Sequence, residues 1–307
     1  MKSMKILLFG SNGLVGSSLK RHLSDNKNYK CFFSTRKDTN LFSLEDTKNI
    51  IQDFRPNLII NTAAKVGGIH ANNTQGSSFL IENLKININI LEAIIDLPDI
   101  KLINLGSSCI YPLNANNPIK EESFMSGKLE PTNSPYAMAK LTAIELGKTL
   151  KKEFNHSIIN LMPTNLYGPN DNFSEMNSHV IPGLIHKMHL AKKNNEKIFS
   201  IWGTGEPLRE FLHVDDLSKA ILFINENNIE EEILNVGSGT EISIKDLATK
   251  IKETVEYNGD LYFDTNMPDG NPRKLLDSKK IHAFGWSPKI ELDDGLKSVY
   301  NWYLENI

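Results

Sequence analysis

The sequence predicts an α/β fold in which a doubly wound parallel sheet is followed by a smaller C-terminal lobe. In the first half, short apolar runs alternate with segments of helical periodicity, which is typical of parallel strands joined by crossover helices. A glycine-spaced turn follows the first apolar run. After Asn165 the sequence pattern changes to shorter helices and loops rich in Gly, Pro and Asn. Together these three observations indicate a Rossmann-type architecture.

The first half contains five predicted strands and four predicted helices. The strands are Lys5–Phe9, Lys30–Phe33, Leu58–Asn61, Lys101–Leu105 and Ser157–Met162, and the helices are Leu14–Leu23, Leu44–Phe54, Ser77–Ile95 and Ser134–Phe154. We expect a Rossmann domain over residues 1–165 and a substrate-binding lobe over 166–307 that is partly interleaved with it. The predicted loops of this lobe are Tyr167–Asn177, Gly203–Pro207 and Pro268–Arg273.

Composition narrows the class of protein. The 307 residues carry a net charge of -3 and a pI near 6.3, which predicts no nucleic-acid partner and no anionic membrane partner. Two cysteines, Cys31 and Cys109, cannot make a disulfide framework and fit a reducing compartment. The apolar run Ile6–Phe9 is too short for a signal peptide or a membrane span. We therefore expect a soluble cytoplasmic protein.

The glycine-spaced turn predicts a dinucleotide site. Gly10 allows a tight turn, Gly13 lets the backbone approach a pyrophosphate, and Gly16 lets helix and strand pack closely. The helix that begins here points unpaired N–H groups at the phosphates. An ordinary glycine-rich turn is the alternative. The predicted cofactor contacts in this turn are Gly10, Ser11, Asn12, Gly13, Leu14, Val15 and Gly16.

The end of the second strand predicts which dinucleotide binds. An NAD site usually presents a carboxylate here, whereas this strand is followed by Arg36, which suits a 2′-phosphate. NADP(H) is therefore the expected cofactor. Asp38 nearby weakens that preference, and a solvated basic turn is the alternative.

Small residues at the carboxyl ends of the third and fourth strands extend the predicted site. In open parallel sheets, ligands bind at this edge. Packing against helices is an equally simple explanation for the two alanines. The predicted contacts are Ala63 and Ala64 after the third strand, and Leu105, Gly106, Ser107 and Ser108 after the fourth.

Tyr136 and Lys140 supply candidate proton chemistry. Four residues apart, they share one face of the predicted helix Ser134–Phe154. We expect the ammonium of Lys140 to favour tyrosinate and lower the pKa of Tyr136 towards neutrality. Ser107, at a strand end, is placed to hydrogen-bond a carbonyl that Tyr136 protonates. This set predicts a reductase-type centre that works with the dinucleotide.

Several longer phrases carry a family resemblance. They are Ala64–Ile69, Gly106–Pro112, Glu130–Asn133, Met162–Pro169, Asn177–Pro182, Arg209–Asp216, Pro268–Gly270 and Pro272–Asp277. Over nearly its full length the chain resembles the extended short-chain dehydrogenases/reductases, and these phrases resemble the GDP-L-fucose synthase family within them. That family epimerises C3 and C5 of GDP-4-keto-6-deoxy-D-mannose and reduces C4 with NADPH, which implies the same activity here. A homodimer is expected on separate grounds, because the two long helices Ser77–Ile95 and Ser134–Phe154 suit an intersubunit four-helix packing; ordinary crossover helices are the alternative.

The resemblance also implies roles for individual residues. Ser107, Tyr136 and Lys140 match the reductase triad, and Cys109 and His179 match the acid/base pair of the epimerase. The implied substrate contacts are Ser108, Cys109, Lys187, Trp202, Arg209 and Asp269, and the implied further cofactor contacts are Pro163, Thr164, Asn165, Leu166 and His179. The histidine spacing His186-x-x-His189 does not suit a metal, and none is expected.

Three alternatives stay open at this point. Lys187 stands where the family usually has arginine, and Asn12 where a basic residue is common, which leaves room for a GDP-4-keto-6-deoxy-heptose C4 reductase with little or no epimerase activity. A UDP-sugar 4-epimerase or dehydratase would recycle its hydride and consume no NADPH. A nucleotide-sensing module without catalysis would have no need of Ser107, Tyr136 and Lys140 together.

Overall fold

The computed structural model describes residues 3–174, 178–267 and 269–307. The strands are β1 (Met4–Phe9), β2 (Tyr29–Ser34), β3 (Leu58–Asn61), β4 (Lys101–Leu105), β5 (Ile158–Pro163), β6 (Asn165–Tyr167), β7 (Ile198–Trp202), β8 (Leu208–His213), β9 (Ile233–Val236), β10 (Glu241–Ser243), β11 (Asp260–Asp264) and β12 (Arg273–Lys274). The helices are α1 (Leu14–Ser24), α2 (Leu44–Phe54), α3 (Ile69–Thr74), α4 (Gly76–Ile94), α5 (Ser134–Phe154), α6 (Val180–Lys193), α7 (Val214–Glu226), α8 (Ile244–Val255), α9 (Lys279–Ala283) and α10 (Leu292–Asn306). Asn177 and Pro268, at the ends of two predicted loops, lie outside the described residues.

A parallel sheet with strand order β2-β1-β3-β4-β5-β9 forms the centre of the molecule. The predicted α/β fold class is confirmed, and the strands and helices of the first half end within one residue of their predicted bounds. The chain leaves β1 in one direction to form β2 and returns on the other side to form β3. This reversal opens a crevice at the carboxyl end of β1, where ligands bind in such sheets.

Both faces of the sheet are covered, which explains the nearly continuous apolar character of its strands. Ile6 and Leu8 of β1 pack towards α1 and α7 on one face. Leu7 and Phe9 alternate with them and pack in a second cluster, with residues of α2, α4 and α5. The carboxyl ends of the strands are therefore held between two apolar layers, and the loops that follow them start from rigid positions.

A row of asparagines crosses the buried centre of the sheet. Asn61, Asn104 and Asn160 occupy matching positions on β3, β4 and β5. The Asn61 amide donates to Asn104 Oδ1 (2.9 Å), and the Asn104 amide donates to Asn160 Oδ1 (3.1 Å). Asn61 Oδ1 accepts from the backbone N–H of Ala63 (3.0 Å). The row thus ties three strands together and fixes the first residues of the loop after β3.

A second lobe is built mainly from residues after β5. A small sheet joins β10, β8 and β12, with β6 also paired to β8, and β7 pairs with β11. Helices α6, α8 and α10 contribute to a separate apolar cluster beside these strands. Two later elements belong with the main sheet, since β9 pairs with β5 and α7 packs on α1. The domain boundary near residue 165 stays a prediction.

Candidate active site

The turn between β1 and α1 has room for no side chain at two of its three glycines. Gly10 has φ +79°, and a Cβ there would lie 2.7 Å from the backbone N of Ala63. A Cβ on Gly16 would lie 2.1 Å from the carbonyl oxygen of Gly10. Glycine at these positions therefore lets β1, the loop after β3 and the start of α1 approach one another closely.

Gly13 is different, because the protein itself leaves space beside it. The nearest atom to a Cβ at Gly13 would be the Gly10 carbonyl oxygen, at an ordinary 3.5 Å. Gly13 is the N-cap of α1, and no side chain caps the N–H groups of the first turn. These N–H groups and the positive end of the helix dipole suit a pyrophosphate. The turn therefore fits a dinucleotide, because glycine at position 13 leaves the protein backbone open to a contact with the pyrophosphate.

The basic end of the cofactor crevice lies after β2. Arg36 is exposed. Hydrogen bonds from Lys65 and Ser78 lower the pKa of Glu82 on α4, and the positive charge of Arg36 lowers it further. Asp38 is turned back, since its carboxylate accepts from the N–H (2.8 Å) and hydroxyl (2.6 Å) of Thr35. These hydrogen bonds lower the pKa of Asp38. The Asp38 carboxylate is therefore engaged by Thr35, and Arg36 is accessible to a phosphate.

Ser107, Tyr136 and Lys140 come together where β4 ends against α5. Lys140 is buried, donates to the carbonyl oxygen of Leu105 (2.6 Å), and holds its Nζ 5.7 Å from the centre of the Tyr136 ring. Ser107 hydrogen-bonds the Tyr136 hydroxyl, and its own Oγ accepts from the Cys109 N–H (3.2 Å). The structure thus places a hydroxyl pair at the edge of the sheet with an ammonium behind it.

The acidity of Tyr136 differs from the sequence-based prediction. Burial raises the pKa of Tyr136 well above its ordinary value, the neighbouring Cys109 raises it further, and the hydrogen bond with Ser107 lowers it. Burial also lowers the pKa of Lys140, to about 8. The predicted lowering of the Tyr136 pKa is wrong for the protein alone, because loss of hydration disfavours the charged tyrosinate. Tyr136 therefore stands ready as a protonated donor at neutral pH.

Cys109 lies in the short 3₁₀ turn Ser108–Ile110, next to Ser107. Its sulfur faces two nitrogen donors, Asn133 Nδ2 at 3.5 Å and Lys274 Nζ at 3.8 Å. It also interacts electrostatically with Tyr136. The thiol is thus half-buried in a polar corner beside the tyrosine, which is unlike the apolar packing of an ordinary core cysteine.

His179 lies at the start of α6, in the second lobe. It is the N-cap of α6, its side chain is 46% exposed, and its Nδ1 lies 4.0 Å from Asp171 Oδ1. Within the described ranges, it makes no hydrogen bond or ion pair with Cys109 or Tyr136. The sequence did not identify Asp171 as a neighbour of His179.

Three of the predicted substrate contacts form one cluster in the second lobe. Asp269 accepts from the N–H (2.9 Å) and hydroxyl (2.7 Å) of Thr204, and Gly203 leaves the space that Asp269 fills. Arg209 is half-buried; burial lowers its pKa while Asp269 opposes that shift. Trp202, 70% exposed, is adjacent to this loop. Lys187 is exposed on α6, and among the described residues it makes no hydrogen bond or ion pair with this cluster.

The end of β5 joins the two lobes. Thr164 Oγ1 and Asn165 Nδ2 both donate to the carbonyl oxygen of Glu210 (3.2 and 2.8 Å). The buried Glu210 carboxylate accepts from the N–H groups of Gly239 (2.8 Å) and Leu276 (3.0 Å). Pro163 and Leu166 flank this junction. The predicted stretch from Pro163 to Leu166 therefore lies between the sheet edge and the second lobe.

A known protein family matches most of the chain. The model of the NAD dependent epimerase/dehydratase family matches residues 6–237. The chain belongs to this family. The match covers the parallel sheet and extends to β9, so the family signal includes every strand of the main sheet.

Relatives and solved structures narrow the resemblance. The chain is 47% identical over 306 residues to the putative GDP-L-fucose synthase 2 of Arabidopsis thaliana, covering 100% of this chain and 93% of the relative. A GDP-L-fucose synthetase of Naegleria fowleri bound to NADP matches at a TM-score of 0.90 with 29% identity, covering 100% and 95%. A GDP-6-OMe-4-keto-L-xylo-heptose reductase of C. jejuni matches at 0.92 with 31% identity, covering 100% and 99%. The resemblance to the GDP-L-fucose synthase family is confirmed.

Residue-by-residue reading missed part of the site. Asn133 and Lys274 contact the Cys109 sulfur. They lie in the segments Glu130–Asn133 and Pro272–Asp277, which resemble the family, but the sequence indicated no individual role for either residue.

The histidines of His186-x-x-His189 hydrogen-bond the hydroxyls of Tyr303 and Tyr300. In the described part of the chain, no cluster of three or more His, Cys, Asp or Glu is placed to hold a metal ion. Nor does any helix described here combine the length and apolar character that crossing a bilayer requires.

Proposed function

We propose that the protein converts GDP-4-keto-6-deoxy-D-mannose to GDP-L-fucose, by epimerising C3 and C5 and reducing C4 with NADPH. The observation that carries this proposal is the corner in which Cys109 lies beside the hydrogen-bonded pair of Ser107 and Tyr136. One ketone can use all three groups, because the C4 carbonyl acidifies the protons at C3 and C5 and is itself the group reduced. The 47% identical Arabidopsis relative supports the choice of substrate.

NADPH would lie along the edge of the sheet. The turn from Gly10 to Gly16 would hold its pyrophosphate, and Arg36 its 2′-phosphate. Strand-end residues would line the remaining length of the dinucleotide; these are Ala63, Ala64, Leu105, Gly106, Ser107, Ser108, Pro163, Thr164, Asn165 and Leu166, with Tyr136, Lys140 and His179 at the reacting end. When bound, NADPH supplies a hydride to C4 of the sugar.

The chain's own groups would handle the protons. Ser107 and Tyr136 would donate hydrogen bonds to the ketone oxygen and stabilise the enolate, as an oxyanion hole does. Cys109, as thiolate, would remove a proton from carbon, and His179 would return one from the other face of the sugar. Tyr136 would finally protonate the oxygen at C4. Cys109 and His179 are held on different elements, the turn after β4 and the start of α6, so they can act as separate base and acid.

The nucleotide would lie in the second lobe. Arg209 and Lys187 supply positive charge for the diphosphate, and Trp202 an exposed ring for a base or sugar. Asp269, fixed by Thr204, would accept hydrogen bonds from the ligand with its remaining lone pairs. Ser108 and Cys109 would contact the sugar itself.

Turnover in D₂O tests the proposal directly. Purified protein, NADPH and GDP-4-keto-6-deoxy-D-mannose should give GDP-L-fucose carrying deuterium at C3 and C5, with stoichiometric oxidation of NADPH. Product NMR and NADPH absorbance measure the two halves separately. Absence of NADPH oxidation with this substrate would overturn the reductase half, and reduction without deuterium incorporation would overturn the epimerase half.

A second candidate is a C4 reductase of a GDP-4-keto-6-deoxy-heptose with little epimerase activity. The match to the C. jejuni heptose reductase at a TM-score of 0.92 favours it. It predicts fast NADPH oxidation with the heptose and no deuterium in the product. Comparing kcat/KM for the two sugars decides between the candidates.

Arg36→Ala should weaken NADPH binding about 10- to 100-fold, the loss typical of a charge-assisted phosphate contact. NADH binding should be unchanged, because NADH has no 2′-phosphate. Fluorescence titration of both cofactors checks this, with Lys37→Ala as the control on the next exposed residue. Equal weakening of both cofactors by Arg36→Ala would refute the assignment of Arg36 to the phosphate.

We propose a homodimer that pairs α4 and α5 of each subunit. These helices pack against each other and leave Ile81, Ile88 and Met138 exposed by 52%, 38% and 46%. Paired with a second copy, the four helices would cover these side chains. The two free cysteines and the use of NADPH support a cytoplasmic setting.

The double substitution Ile81→Glu and Ile88→Glu should convert the dimer to a monomer, since it buries carboxylates against the partner. Light scattering after size exclusion measures the mass. Ile198→Glu, on the exposed edge of β7 in the other lobe, should leave the dimer intact. A dimer that survives the double substitution contradicts the proposed interface.

A further inference from the structure

Lys274 places a positive charge next to the candidate base. Its Nζ lies 3.8 Å from the Cys109 sulfur, and the side chain is half-buried. At this separation an ammonium stabilises a thiolate relative to the neutral thiol. None of the roles assigned above includes Lys274.

The backbone of Lys274 is fixed on both sides. Lys274 is the last residue of β12 and pairs with Arg209 of β8. The N–H groups of Leu275 and Leu276 donate to Asn117 Oδ1 (2.7 Å) and Glu210 Oε2 (3.0 Å). The ammonium therefore extends towards Cys109 from a strand that is tied to two other parts of the chain.

The charge of Lys274 is not neutralised locally. Among the described residues, no ion pair joins Lys274 to a carboxylate. The groups that face the Cys109 sulfur are the neutral amide of Asn133 and the phenol of Tyr136, both from the start of α5, and Lys274 from β12. Lys140, also on α5, is bonded to the Leu105 carbonyl. Lys274 is thus the cation that contacts the sulfur among these groups.

We propose that Lys274 is a positioning residue for epimerisation: its ammonium keeps the Cys109 sulfur in the thiolate form that accepts a proton from the sugar carbon. On ionisation the thiol proton leaves to solvent, and during turnover the sulfur takes up the substrate proton, so no oxidant or reductant takes part. The role in epimerisation rests on the proposed function. The predicted effect of Lys274 on the thiol does not rest on it, because alkylation measures that effect without any sugar.

Alkylation of the free protein tests the thiolate. Lys274→Met should slow the reaction of Cys109 with iodoacetamide about 3- to 10-fold at pH 7, and should move the alkylation profile upwards by about one pH unit. Peptide mass spectrometry separates Cys109 from Cys31, whose pKa burial raises to about 11. Lys274→Arg should restore most of the rate, because it keeps the charge.

The neighbouring Arg273 supplies a matched control. It lies on the same strand, and its guanidinium pairs with Glu241 instead (2.8 Å). Arg273→Met should alkylate at the wild-type rate with an unchanged profile. An unshifted profile in Lys274→Met, with a wild-type melting curve, would overturn the proposal. A shifted profile in a protein that epimerises no GDP-keto-sugar would uphold the thiolate and refute the proposed function instead.

Discussion

Tyr136→Phe is expected to reduce NADPH-dependent turnover of the keto-sugar by about 10²- to 10⁴-fold, the usual contribution of a positioned general acid. The substitution removes a single hydroxyl, which is hydrogen-bonded to Ser107. Because burial holds the pKa of Tyr136 high, the wild-type phenol keeps its proton at neutral pH and can donate it to the oxygen at C4. Stopped-flow absorbance of NADPH measures the loss.

NADPH affinity should survive in Tyr136→Phe, because the turn around Gly13 and Arg36 is untouched. Tyr29→Phe is the matched control, since it also removes one phenolic hydroxyl, which donates to Glu226 (2.7 Å) at the amino end of β2, whereas the site lies at the carboxyl ends of the strands. It should turn over at the wild-type rate. Unchanged reduction in Tyr136→Phe would remove this tyrosine from the mechanism.

Cys109→Ser should suppress deuterium incorporation at C3 and C5 by about 10²- to 10⁴-fold, because a serine hydroxyl is a far weaker base than a thiolate. Reduction of a ketone that is already epimerised should continue, since Ser107 and Tyr136 remain. The experiment follows exchange by NMR without NADPH, and reduction separately with the epimerised sugar.

Cys31→Ser controls for loss of a thiol, because Cys31 lies within β2 and packs against the apolar cluster that includes residues of α1. It should exchange normally. If Cys109→Ser also exchanges at the wild-type rate, the base lies elsewhere, and Cys109 is a packing residue.

The sequence predicted the main sheet well because its signals are local. Apolar runs, helical periodicity and the turn from Gly10 to Gly16 each depend on a few neighbouring residues. The place of β9 beside β5 could not be predicted in this way, since that pairing joins Asn160 to Ile233 across 72 intervening residues of looser pattern. Strand order is a property of long-range packing.

The same difference between local and long-range signals explains which residues of the site the sequence identified and which it did not. Tyr136 and Lys140 share one helix, so their spacing alone indicated that they act together. The contact of Lys274 with Cys109 joins positions far apart in sequence, and no spacing rule reveals it. The direction of the Tyr136 pKa also depended on burial, a quantity that only the folded chain defines.

The amides of Asn61, Asn104 and Asn160 bear on how the strands find their alignment during folding. When both faces of a strand are apolar, a shift of its pairing by one residue costs little free energy, because each residue packs acceptably on either face. If one of these strands shifted by one position, a carboxamide would be buried among apolar side chains without a hydrogen-bond partner, at a cost of about 1–3 kcal/mol for each group. Replacing all three by leucine should therefore leave a compact molecule with competing registers, visible as broadened or duplicated amide signals in NMR.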